Sequence, residues 1–208
     1  MTKTQEVARE AARLLYSGVV EEYKEAKIAA SEAVGIRSLP SNFDVALELS
    51  RLADELEGEQ RKELIVRLRQ EALNLMVFLD GFHPRLFGSV WRGTVRKGSD
   101  IDIQVYAPDA ETVVRHLRES YEIAQAGWTN KTTGGCTVRF FHIFLPLPSG
   151  NVAEVSVKSS EERGEVRVDA IYGDHITGLG TTELRDVLEK GPLRTFVPER
   201  KKRRTVHR

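Results

Sequence analysis

An α+β fold is predicted for this 208-residue chain: a helical N-terminal region over residues 1–81, ahead of a mixed sheet with flanking helices over 82–192. Three observations predict it. Up to Gly81, apolar residues recur at three- and four-residue spacing with charged residues between them. Beyond Gly81 come short β-rich runs, "RLFG", "DIDIQVY", "YEIAQAG", "TVRFFHIFL", "VAEVSVK" and "VRVDAIY". The apolar fraction, 40%, is enough for one sizeable core or for a core with a smaller attached subdomain.

Taken in order, residues 4–33 read as one helix, with Ala8, Ala11, Ala12, Leu15, Val19, Tyr23 and Ala26 on its apolar face and Gly35 closing it. "LPSN" supplies a turn, and Ser41 or Asn42 caps a second helix to about Glu57. A third, about Glu59 to Leu79, aligns Ile65, Leu68, Ala72, Leu75, Met76 and Leu79, with Glu63 and Arg67 as an i,i+4 pair on the other face. Asp80-Gly81 stops it. In the second part, Asp109 caps a helix from about Ala110 to Glu119, and "LPSGNV" joins two strands as a hairpin. The Gly-rich "GDHITGLGTTEL" lacks the ordered spacing of a P-loop or dinucleotide fingerprint and reads as a connection to a last helix, about Thr182 to Lys190.

Composition narrows the function classes. No apolar run approaches the roughly 18 to 20 residues of a membrane helix, no signal sequence opens the chain, and Cys136 has no intrachain partner, so a cytoplasmic, non-membrane protein is expected. The five histidines and Cys136 show no zinc-ligand spacing. Net charge is zero, yet "ERKKRRTVHR" at the C-terminus sets six basic residues against Glu199. That basic tail, residues 193–208 in the division of the chain, is either a solubilising terminus or a contact for a phosphate-rich partner such as RNA.

The chemistry concentrates in "LFGSVWRGTVRKGSDIDIQVY", residues 86–106. On a strand, Asp100 and Asp102 point to one side and Ile101, Ile103 and Val105 to the other. The isoleucines suit a core. Two carboxylates about 7 Å apart on one face repel each other, and Mg²⁺, a hard cation bound by one or two carboxylates and substrate phosphates, is the usual reason to hold them there. Upstream, Gly88 permits close backbone approach, Ser89 adds a hydroxyl and "VWRG" can form a helical turn, together a phosphate cradle. Arg92, Arg96 and Lys97 lie between cradle and carboxylates, either as further phosphate contacts or as ordinary loop charges. Trp91 and Trp128 read as packing residues with base stacking as the alternative, and His142 as a packed, hydrogen-bonded residue. "TGGC", Thr133 to Cys136, reads equally as a flap over the site or as a plain loop.

Gly-Ser, ten intervening residues and then acid-apolar-acid within an apolar strand resembles the signature of the DNA polymerase β superfamily of nucleotidyltransferases. "GSVWRGTVRKGSDIDI" is especially similar to archaeal CCA-adding enzymes and to small stand-alone nucleotidyltransferases, and the similarity extends over residues 82–172. The resemblance implies a polymerase β-like palm over residues 82–192, two Mg²⁺ ions, and transfer of a nucleoside monophosphate from an NTP such as ATP, with pyrophosphate leaving. It assigns the β and γ phosphates to Gly88 and Ser89 and both metals to Asp100 and Asp102. It also calls for a third acid on a later strand. Glu154, 52 residues after Asp102, is favoured over Asp169, 67 residues after it. An RNA end is the first acceptor expected; a protein or small-molecule acceptor, or a catalytically silent nucleotide- or RNA-binding module, are the alternatives.

Overall fold

The computed structural model describes residues 2–133 and 136–199, with side chains outside 131–138. Four helices come first: α1 (Lys3–Tyr16), α2 (Tyr23–Val34), α3 (Asn42–Glu57) and α4 (Glu59–Phe78). The single helix expected over 4–33 is two. Gly18 takes a left-handed φ of 70° just past Tyr16, the chain reverses, and α2 packs back on α1. The apolar spacing ran on across the break because both helices bury the same kind of face: Val7, Ala8, Ala11 and Leu15 meet Ala26, Ala30 and Val45 of α3 in one small cluster. Thr2 and Gln5 close a capping box on α1, and the Ser41 hydroxyl accepts from the Asp44 amide at the start of α3.

The second part alternates strands and helices: β1 (Arg85–Leu86), α5 (Gly88–Arg92), β2 (Ile101–Tyr106), α6 (Ala110–Leu117), β3 (Gln125–Thr133), β4 (Cys136–Pro146) and β5 (Val152–Lys158). It ends with the short strands β6 (Arg167–Val168), β7 (His175–Ile176) and β8 (Leu179–Gly180) and with α7 (Thr181–Lys190). Six strands form one mixed sheet in the order β3-β4-β5-β2-β1-β8. β2 and β5 run parallel at its centre and the other neighbours are antiparallel. The β4–β5 hairpin expected at "LPSGNV" is present, closed by the Leu147 amide donating to the Asn151 carbonyl.

"VRVDAIY" departs from expectation. Only Arg167 and Val168 are strand, and they pair with His175 and Ile176 in a separate ribbon. Asp169 instead accepts from the amides of Ile171 and Tyr172, so its side chain replaces a strand ladder with a local turn.

One face of the sheet is the core. Ile101, Ile103, Val105, Ile143, Leu145, Ala153 and Val155 are buried against Leu68, Ala72, Leu75, Met76 and Leu79 of α4 and against α6 and α7. Residue 81 thus marks where helices give way to strands along the chain, while α4 packs with the sheet. Arg69 of α4, fully buried, donates to the carbonyls of Val90 and Trp91 at the end of α5 and to those of Pro192 and Arg194. Burial lowers its pKa to about 10, still well above neutral, so the guanidinium stays charged and pins α5 between α4 and the C-terminal segment. No described helix is long and apolar enough to cross a membrane.

Candidate active site

The opposite face of the sheet carries the acids. Along β2 burial alternates strictly: Ile101, Ile103 and Val105 lie inside, while Asp102, Gln104 and Tyr106 face outward. Parallel pairing sets Asp102 directly beside Glu154 of β5, whose neighbours Ala153 and Val155 are buried on the far side. Asp100 stands just before β2. One carboxylate oxygen from each of Asp100, Asp102 and Glu154 lies within 4.8 Å of the others, the one such grouping of potential metal ligands among the described residues.

The geometry at Gly88 matches this convergence. Its φ is 65°, and a Cβ there would stand 1.7 Å from an Asp102 carboxylate oxygen. Any side chain would displace the acid, so glycine is required on both counts. The Phe87 amide donates to the Asp102 carbonyl at 2.8 Å, tying the entry to α5 onto β2. Gly88, Ser89, Arg96 and the three acids line a common cavity of about 600 Å³, within the usual range for a small-ligand site. Its far wall comes from the N-terminal helices, through Leu15, Tyr23 and Leu49. Burial pushes the Tyr23 hydroxyl up to about 12, so at neutral pH it is an uncharged group.

Of the three basic candidates, Arg92 and Arg96 line the cavity and Lys97 does not. Arg92 is 3% exposed: its guanidinium donates to both oxygens of Asp174 at 2.7 Å, to Asp169 at 2.9 Å and to the Phe196 carbonyl at 2.8 Å. It also lies over the rings of Trp91 and Tyr172. Arg92 borders the cavity, and its two terminal nitrogens hold the 169–174 turn and the C-terminal segment. Lys97 is exposed, off the cavity wall, with its amide donating to Glu57. Arg96 does line the cavity, on a turn closed by its amide donating to the Ser99 hydroxyl.

Asp169, the alternative third acid, is thereby bound to Arg92 rather than grouped with Asp100 and Asp102. Trp91 is 4% exposed and packs in the core, whereas Trp128 is 56% exposed with the Arg139 guanidinium 4.3 Å from its ring centre. His142 is half-buried rather than packed away, and its Nδ1 contacts the Glu154 carboxylate. Sequence reasoning missed that contact. The one signal was parity, since His142 shares a strand face with Phe140 and Phe144, but only pairing shows that this face carries the acids. Gly134 and Gly135 of "TGGC" and the tail from Arg200 onward lie outside the described residues.

Among curated protein sequences none matches the chain. Among solved structures, a cytoplasmic RNA terminal U-transferase aligns over 54% of this chain and 36% of that chain, with 15% identity and a TM-score of 0.28. This chain therefore spans little more than a third of that protein. The family model of the nucleotidyltransferase domain matches residues 82–134, the stretch holding Gly88, Ser89, Asp100 and Asp102. Over that stretch the chain is similar to nucleotidyltransferase domains.

Proposed function

We propose that the chain transfers a nucleoside monophosphate from an NTP to an acceptor hydroxyl, in the first place at an RNA end, and releases pyrophosphate. The observation that carries this reading is the meeting of three carboxylates beside a glycine that cannot bear a side chain, at the floor of a cavity of nucleotide size.

The donor set fits divalent magnesium: hard, anionic oxygens only, from Asp100, Asp102 and Glu154, grouped closely enough to share an ion. Bound there, Mg²⁺ would offset the carboxylates' mutual repulsion and stabilise the charge that develops on the attacking and leaving oxygens. Gly88 and Ser89 bind the β and γ phosphates, and Arg96 adds a cation to the same wall. The acceptor oxygen forms a bond to the α-phosphorus while the bond from that phosphorus to the bridging oxygen breaks. The electron pair departs with pyrophosphate, and the acceptor proton passes to the carboxylate of Glu154 and then to water. Leu15, Tyr23 and Leu49 exclude water from the nucleoside side of the cavity.

The basic run after Glu199 favours RNA as acceptor. A second reading, transfer to a protein side chain or a small molecule, draws support from the N-terminal helices walling the cavity, which narrows access for a long strand. Incubation with Mg²⁺, labelled NTPs and an RNA pool is expected to place label on RNA. Label confined to protein or small molecules would reject the RNA acceptor while retaining the transferase. NTP binding that is independent of Mg²⁺ and unchanged in Asp100→Asn with Asp102→Asn would identify a binding module instead.

A further inference from the structure

We infer that His142 is a positioning residue for Glu154: its imidazole holds the carboxylate that stands beside Asp100 and Asp102. The inference rests on the reading of Glu154 as the third acid. Asp102 reaches the site with one rotor beyond its χ1, whereas Glu154 has two, so the same strand backbone leaves its carboxylate more places to go. The chain supplies a restraint at that carboxylate. His142 Nδ1 lies in hydrogen-bonding contact with Glu154 Oε1, and the two side chains are exposed to similar small extents, 21% and 23%. With the proton on Nδ1, the imidazole donates and the carboxylate accepts.

The imidazole is itself held. β4 and β5 pair so that Phe144 stands opposite Glu154 and His142 opposite Ser156, one step along the same face. His142 therefore reaches Glu154 diagonally across the two strands, a separation that a ring can span. On its own strand the ring lies between Phe144, nearly parallel at 6.3 Å, and Phe140, steeply inclined at 6.0 Å. On the β3 side its partner is Gly127, around whose Cβ position there is open space. The aromatic neighbours thus border the ring along the strand, and Glu154 engages its polar edge. A carboxylate oriented in this way by an imidazole is the arrangement by which outer groups tune a ligand set, with typical effects of roughly 10- to 100-fold on metal affinity.

Two measurements on the full chain test it. In protein labelled with ¹⁵N-histidine, the Nδ1–H of His142 is expected as a slowly exchanging, downfield proton signal that disappears in Glu154→Ala; a signal indifferent to that substitution overturns the contact. The second is Mn²⁺ affinity, measured by electron paramagnetic resonance without nucleotide. His142→Ala is expected to weaken Mn²⁺ binding about 10- to 100-fold and to lower kcat while leaving KM for the NTP unchanged. His142→Asn should restore most of both, because its amide nitrogen sits as far from Cβ as Nδ1 does. His142→Gln, whose amide lies one bond further out, should restore little. Wild-type behaviour of His142→Ala, or equal rescue by Asn and Gln, would reject a positioning role. If instead Asp102→Asn binds Mn²⁺ as the wild type does, the metal reading itself fails, and the histidine signal still reports on the contact with Glu154.

Discussion

Two groups of acids lie within reach of one cavity and are built in opposite ways. Asp169 and Asp174 close on a guanidinium: Arg92 donates to both, and Asp174 receives two bonds from it. Asp100, Asp102 and Glu154 close on one another. In the first group burial works against the Arg92 charge, but the hydrogen bonds it donates to Asp174 and Asp169 outweigh it and hold the guanidinium above its ordinary pKa, while Arg92 holds the Asp174 carboxyl below its own. That group is a staple, joining the end of α5, the 169–174 turn and the Phe196 carbonyl. In the second, the strand pairs β2 and β5 force like charges together, and the driving force lies on the other face of the sheet. Ile101, Ile103, Ala153 and Val155 are buried there and offset the repulsion. The first cluster carries its counter-charge in Arg92; the second gathers three carboxylates into the donor set on which the metal reading rests.

That contrast is open to test. The largest effect is expected from Asp102→Asn, which should lower nucleotide transfer on the order of a thousandfold while leaving the urea midpoint unchanged or raised, since a repulsion is relieved. An equal loss of stability would make the acids structural. Next comes the pair Glu154→Gln and Asp169→Asn. The first should cost about a hundredfold in kcat and the second no more than severalfold, both read in the same transfer assay; the reverse order would move the third acid to Asp169.

Arg92→Met is expected to destabilise by about 3 kcal/mol, because two part-buried carboxylates lose their cation. Urea denaturation at neutral pH measures this, and a loss within error of zero would dissolve the staple. Mg²⁺ at ten times its dissociation constant should stabilise the wild type by about 1.4 kcal/mol and the Asp100→Asn variant measurably less. The smallest effect is in pH. Asp174 has a folded-state pKa below its unfolded one, so its contribution is complete above the unfolded value, about 4, and is lost as pH falls through the folded value. Wild-type stability should therefore fall more steeply than that of Arg92→Met below about pH 4, and parallel curves would assign the acid sensitivity to other carboxylates.

Much of this molecule was legible beforehand, where the information is local. Alternation in "DIDIQV" gave the two faces of β2, the Ser41 and Asp109 caps marked two helix starts, and Gly88, Ser89, Asp100 and Asp102 line one cavity. The break between α1 and α2 was hidden because Ser17-Gly18 interrupts a pattern that both helices continue. "VRVDAIY" misled because a β-branched, alternating run reads as strand whatever its aspartate does, and Asp169 spends its oxygens on local amides and on Arg92.

Residue type and spacing by themselves determined the candidate chemistry: a Gly-Ser step ten residues ahead of two carboxylates on one face of a strand. Only the tertiary structure decided the partners. Parallel pairing of β2 with β5 brings Glu154 beside Asp102 across 52 residues, antiparallel pairing of β4 swings His142 onto Glu154, and the fold ties Arg92 to the 169–174 turn. Side-chain direction along one strand follows from its period of two, but the neighbour across the sheet depends on register and strand order, which are settled by how the whole apolar face packs.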